Sequence, residues 1–101
     1  MTSTITRPAA EAPVPAGAVH VAAWEHDQPM QSRAFFGVPR GVSGRTIVVG
    51  TAGHQWADGS IESVASIEII GYLHGLRSDQ ARDLASALLH AADEIDGWVA
   101  R

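Results

Sequence analysis

Gln80-Ala-Arg-Asp-Leu-Ala-Ser-Ala-Leu-Leu-His-Ala-Ala-Asp-Glu-Ile-Asp96 is the stretch in which periodicity, composition and end signals agree on a single structure. Ala81, Leu84, Ala85, Leu88, Ala92 and Ile95 recur at spacings of three and four, so they share one face of a helix. Leu89 and Ala91 widen that stripe, and Arg82, Asp83, Ser86, His90, Asp93 and Glu94 fall largely on the other side. The spacing predicts a helix over 79–96, about 27 Å long at about 1.5 Å per residue. Ser78 is the N-cap expected from residue type, and Asp79 meets the positive end of the helix favourably. Asp93, Glu94 and Asp96 lie at the wrong end for the dipole. Gly97 is placed to terminate the helix in a left-handed conformation, which lets Trp98 fold back onto the last turn. Packing, rather than end electrostatics, must therefore hold this terminus.

A helix with one apolar side needs a second layer, and the segments before it supply one. In residues 64–72, Ile67 and Ile69 point one way while Ser66, Glu68, Ile70 and Tyr72 point the other, as in a strand. Asp58-Gly59 suits a two-residue type I′ turn, so residues 54–63 read as a hairpin. That register sets Ala57 opposite Ser60, Trp56 opposite Ile61 and Gln55 opposite Glu62, which pairs apolar with apolar and polar with polar. Arg45-Thr-Ile-Val-Val49 is a β-branched run typical of a strand. Residues 31–44 hold Phe35 and Phe36 followed by Gly37, Pro39, Gly41 and Gly44, the pattern of irregular chain pinned by two aromatic anchors. His20-Val-Ala-Ala-Trp-Glu-His26 has the alternation of a short strand, with Trp24 on the His20 face. Residues 1–18, rich in Ala, Pro, Ser and Thr without a period, read as a disordered leader. The remainder, 19–101, reads as a single small domain.

Composition narrows the chemistry. The chain is 46% hydrophobic and 18% charged, which is globular in character. It has no cysteine, so disulfides, thiolate metal sites and thiol nucleophiles are excluded, and a reducing cytoplasmic setting is the expectation. It has no lysine either, which removes Schiff-base chemistry. The net charge is −4, and residues 41–101 carry the whole excess, with four arginines against eight carboxylates. No basic stripe of the kind that holds nucleic acid is visible, and acidity opposes adsorption to anionic membranes.

Candidate sites are few. His20, His26 and Asp27 cluster near the N-terminus, but a third imidazole has no fixed place beside them, so no metal is expected. His54 and Asp58 alternate toward the hairpin tip and are the one pair a hydrolase-like mechanism would use, without an evident nucleophile. No nucleophile elbow, dinucleotide fingerprint or phosphate-binding loop occurs, so no catalytic residue and no cofactor is assigned. A nucleic-acid role would require Arg33, Arg40, Arg45 and Arg77 to gather into one patch. Trp24, Phe35, Phe36 and Trp98 exceed what a small core needs. They either anchor the leader-side chain to the domain or form a surface for a homodimer or a protein partner.

Gln55-Trp56-Ala57-Asp58-Gly59 and the run from Gln80 to Glu94 together resemble a family of short actinobacterial and actinophage proteins. Its members share an Asp-Gly hairpin, a strand and a terminal helix of the type Leu-Thr-Pro-x-Gln-Ala-Arg-x-Leu-Ala-x-Ala-Leu. The resemblance covers residues 45–96. Family members carry threonine-proline where this chain has Arg77-Ser78, so the Thr-x-x-Gln capping box is broken here. The resemblance implies architecture and no activity. The resulting expectation is an α+β fold: a small antiparallel sheet of three to four strands with one C-terminal amphipathic helix packed on one face. The expected role is that of a non-enzymatic binding or accessory protein.

Overall fold

The computed structural model of the protein describes residues 12–26 and 30–99. Six elements follow in order: β1 (His20–Val21), β2 (Ser32–Phe36), β3 (Arg40–Gly41), β4 (Val48–Trp56), β5 (Ser66–Ile70) and α1 (Ser78–Val99). All strand pairs are antiparallel. The fold is α+β, one open sheet with the C-terminal helix packed on one face. The five strands occupy four rows, because β2 and β3 both lie along the side of β4 opposite β5. The β2 register (Phe36 to Ala52) and the β3 register (Arg40 to Val49) differ by one residue. A one-residue bulge of this kind reverses which way the following side chains point. It turns Arg40 toward the helix, where its Nη1 lies 3.3 Å from Glu94 Oε1.

β4 is the strand on which everything else is built. Sequence alone suggests a strand at 45–49 and a separate hairpin arm beyond it, but the two are one nine-residue strand running through Gly50 and Gly53. Glycine weakens a strand unless something must approach the backbone closely. At Gly53 that something is Phe35, its partner in register. A Cβ on Gly53 would stand 2.7 Å from Phe35 Cζ, so only glycine lets the ring lie across the strand.

The irregular chain expected at 31–44 instead contains β2 and β3. Its alternation is disguised by composition. Arg33 and Phe35 face inward, and the buried Arg33 donates from Nε to Gln55 Oε1 at 2.8 Å. Trp24 also departs from the expected face. β1 pairs with β2 in one register and Glu25 meets Ser32 one residue out of step, so the chain between them bulges and Trp24 turns inward. The Arg33 guanidinium carbon sits 4.4 Å from the centre of its ring.

The hairpin forms with a different loop. Trp56 N–H donates to Ser60 O at 2.8 Å and Gly59 N–H to Trp56 O at 2.9 Å, so the loop is the three residues Ala57-Asp58-Gly59. Gly59 takes φ 92°, the left-handed residue that closes a three-residue loop. Asp58 causes the change: its Oδ1 accepts from Ser60 N–H at 2.9 Å and from Ser60 Oγ at 2.6 Å, an Asx turn. Pairing slips by one, so Trp56 faces Ser60 and Gln55 bridges Ile61. Pairing then lapses over 63–65 and resumes where Ser66 meets Ala52.

The helix is longer than expected and rotated. It continues through Gly97 to Val99, so Gly97 does not end it and Trp98 is a helical residue. Arg77 O accepts from Ala81 N–H at 2.8 Å, which makes Arg77 the cap and Ser78 the first helical residue. Gln80 Oε1 accepts from Arg77 N–H at 3.1 Å, so half of the capping box survives the loss of threonine. The buried positions are Gln80, Ala87, Ala91 and Trp98. At about 100° per residue, their centre lies roughly 90° from that of the 81/84/85/88/92/95 stripe. Ala87 and Ala91 close on Val49, with Ile67, Leu84 and Leu88 packed around them, while Leu89 stays 68% exposed.

Inward-facing anchors set this rotation. Gln80 Nε2 donates to Ser43 O at 3.3 Å, Glu94 Oε1 accepts from Thr51 Oγ1 at 2.7 Å, and the Trp98 ring meets Phe35 edge-on at 4.7 Å. The leader expected to be disordered to Ala18 is tied down where it is described. Ala12 O accepts from Arg33, Pro13 O from Gln55, and Ala16 O from Trp98 Nε1 at 2.9 Å. Ala91→Leu should therefore destabilise the fold by about 1–3 kcal/mol through overpacking. Ala85→Leu, on the apolar stripe but exposed, should change it by less than about 0.5 kcal/mol. Urea denaturation of both variants checks this, and equal costs would contradict the observed rotation.

Candidate partner-binding surface

Among the described residues the helix covers one face of the sheet and no element covers the other. Alternation along the paired strands sends His20, Phe36, Ala52, His54 and Trp56 to this outer face. Between the hairpin and β2 the sheet curls into a concavity of about 640 Å³. Its floor is apolar, with Phe36, Ala34, Ala52 and Trp56, and Glu25, Glu62 and Glu68 stand among its lining residues. Among the described residues no arginine lines it, and its one imidazole belongs to His54.

The fold places each of these groups. Phe36 pairs with Ala52, whose small side chain leaves the ring accessible, and His20 stacks on it with ring centres 5.7 Å apart. Trp56 and Glu62 come onto one face because of the three-residue loop. The indole Nε1–H donates to Glu62 Oε1 at 2.9 Å, which orients both the ring and the carboxylate. Glu68 enters from β5 opposite Gly50. The arrangement offers an aromatic floor with carboxylates around it, of which Glu62 is oriented by the indole. Such a surface suits an apolar side chain accompanied by positive charge.

The four aromatic residues expected at a partner surface divide. Phe35 is 0% exposed and Trp98 3% exposed, so both are core and neither is available to a partner. Trp24 is occupied by Arg33, and Phe36 alone lies in the outer concavity. Trp56, Glu25, Glu62 and Glu68 are the residues that sequence reasoning missed. Only the spacing of Trp56 and Glu62 around Asp58-Gly59 hinted at the pair, and it requires the longer loop.

Arg33, Arg40, Arg45 and Arg77 are each engaged within the chain. Arg33 is buried under Trp24, and Arg40 pairs with Glu94. Arg45 Nη2 donates to Tyr72 O and His74 O, both at 2.8 Å, and so clasps the connection between β5 and α1. Arg77 pairs with Asp79 at 3.1 Å. The His54/Asp58 pair is not assembled either, since His54 rises from the outer face while Asp58 is turned to Ser60 at the loop. His20 stacks on Phe36, His26 Nδ1 accepts from Gln31, and Asp27 lies outside the described residues. Among the described residues no group of His, Asp or Glu is placed to hold a metal ion.

Comparison with protein-family models, with curated proteins and with solved structures finds no match. Among the described residues no helix is long and apolar enough to cross a membrane.

The Asp58 turn gives a pH signature. Hydrogen bonds from the Ser60 hydroxyl, and then from its backbone N–H, hold the Asp58 carboxyl below the usual carboxylate range. A carboxylate whose folded pKa is lowered adds stability above its ordinary pKa, and that contribution is lost as pH falls through the lowered value. In an NMR pH titration the Asp58 carboxyl carbon should therefore titrate below the ordinary aspartate range. Ser60→Ala should move it back up, and an unchanged midpoint would rule out the hydroxyl as the cause.

Proposed function

We propose that the protein is a non-enzymatic binding or accessory protein, acting through protein partners, and that the outer sheet face takes a short basic segment bearing an apolar side chain. The observation that carries this is the unroofed concavity with Phe36 and Trp56 on its floor and three glutamates among its lining. Apolar contact supplies affinity at the floor, and the carboxylates select for positive charge and steer approach. A cytoplasmic setting belongs to the same proposal, resting on the absence of cysteine. The nucleic-acid alternative is disfavoured because Arg33, Arg40, Arg45 and Arg77 are all engaged within the chain. The hydrolase alternative is disfavoured because Asp58 serves its own turn.

The test uses a fluorescein-labelled peptide with a central phenylalanine between arginines, against the same peptide with glutamates in place of the arginines. Fluorescence anisotropy should show binding of the basic peptide only, weakening as salt is raised. Phe36→Ala should weaken it by at least about tenfold, equivalent to about 1.4 kcal/mol. Glu62→Gln combined with Glu68→Gln should flatten the salt dependence. Equal binding of the acidic peptide, or binding of neither, would sink the proposal.

A further inference from the structure

Among the described residues β5 is an open sheet edge. Glu62 N–H donates to His54 O, so the even-numbered residues of β4 direct their backbone groups toward the β5 side. Hydrogen-bonded and non-bonded pairs alternate along an antiparallel ladder. The bonded pairs are thus Val48 with Ile70, Gly50 with Glu68 and Ala52 with Ser66, which leaves the N–H and C=O groups of Ile67 and Ile69 facing outward. Among the described residues no strand lies beyond β5. Soluble proteins usually guard such an edge with lysine, proline or a bulge. The run Val64-Ala-Ser-Ile-Glu-Ile-Ile-Gly-Tyr-Leu73 has no lysine or proline and a single charge, Glu68. Val64, Ile70 and Tyr72 are each more than 60% exposed.

The helix adds a second apolar surface beside this edge. Asp83 and Glu94 bond to the β3 side, at Ser43 and Arg40. The opposite flank, Ala81, Ala85, Leu88 and Ala92, therefore overhangs β5. Of these, Ala81 and Ala85 are exposed, Leu88 and Ala92 are half-buried at the border of the core, and none carries a charge.

We infer that the β5 edge and this helix flank form a homodimer interface, in which two copies join their sheets antiparallel about a twofold axis at Ile67. The occupant is a second copy because, of the three registers centred on Ile67, Glu68 and Ile69, the first makes the edge complementary to itself. An axis at Glu68 would set Glu68 opposite its own image, a like-charge pair. An axis at Ile69 would set Glu68 opposite Ile70, and Ile67 opposite Gly71, whose φ of 131° leaves the strand conformation. An axis at Ile67 sets Ser66 opposite Glu68, where the hydroxyl donates to the carboxylate, and Val64 opposite Ile70. A twofold axis also brings the uncharged flank of one helix to face the same flank of the other. Val64, Ser66 and Glu68 line the outer concavity as well as this edge, so the two proposals share one rim, and oligomeric state measured without peptide tests this one by itself.

Sedimentation velocity of the full chain across the micromolar range should show a dimer whose fraction rises with concentration. Ile69→Lys on the edge and Ala85→Glu on the helix should each weaken it by at least about tenfold, with far-UV circular dichroism unchanged. Because the chain has no cysteine, engineered thiols report the register cleanly. In the inferred register Ser66 and Glu68 of the two copies form a non-bonded pair with Cα atoms about 4.5 Å apart, within disulfide reach. A mixture of Ser66→Cys and Glu68→Cys chains should oxidise to the mixed dimer. A wild-type monomer throughout the range, or a dimer that both charged variants leave intact, would overturn the interface. Glu68→Cys linking chiefly to itself would overturn the register.

Discussion

The ring of Phe35 is the contact on which the rest of the molecule turns. It lies across Gly53 of β4 and meets Trp98 of the helix edge-on, at 4.7 Å between centres and 73° between planes. Aromatic pairs in this geometry contribute about 0.5–1.5 kcal/mol beyond the area they bury. The larger effect is geometric. Phe35 over Gly53 fixes the β2–β4 register, because a shift of one residue would drive the ring into a side chain or turn it to solvent. With Phe35 inward, Phe36 must point outward, so one packing event also supplies the aromatic floor of the outer face. Trp98 carries the constraint on to the N-terminal strap through its bond to Ala16 O.

Polar groups then decide how the helix lies. Gln80 near one end and Glu94 near the other are inward-facing, and each is satisfied: Gln80 by Ser43 O and Arg77 N–H, Glu94 by Thr51 and Arg40. An unmet buried amide or carboxylate would cost more than the exposure of a few methyl groups, so the helix rotates to satisfy them. Among the described residues no buried side-chain nitrogen or oxygen lacks a partner. The consequence is a division of apolar surface. Alanines, small enough to let the helix approach Val49, take the core, and part of the predicted stripe is left facing the β5 edge.

The same economy explains the arginines. In this chain without lysine two arginines serve the structure directly: Arg45 holds the β5–α1 connection by two carbonyls, and Arg33 is packed against Trp24 and Gln55. The guanidinium suits this work because its several donors lie in one plane and it tolerates an aromatic neighbour. Acidic groups are left to dominate the outer concavity, which gives that face its sign.

What the sequence determined by itself is local: the helix from its three-and-four spacing, the strand at 66–70 from its isoleucines, a turn at Asp58-Gly59, and the two-layer α+β class those elements require. Periodicity and turn chemistry act over a few residues, so they can be read along the chain. Tertiary structure alone decided the strand status of residues 32–36, where a buried arginine breaks the pattern of a core-facing strand, and the union of residues 48–56 across two glycines. It also decided the three-residue loop, chosen by the Asp58 to Ser60 hydrogen bonds, and with it the meeting of Trp56 and Glu62 that shapes the outer face. Which of the four aromatic residues would be core was equally beyond the sequence, because Phe35 and Phe36 are adjacent and identical. Only the glycine waiting across the sheet at position 53 distinguishes them.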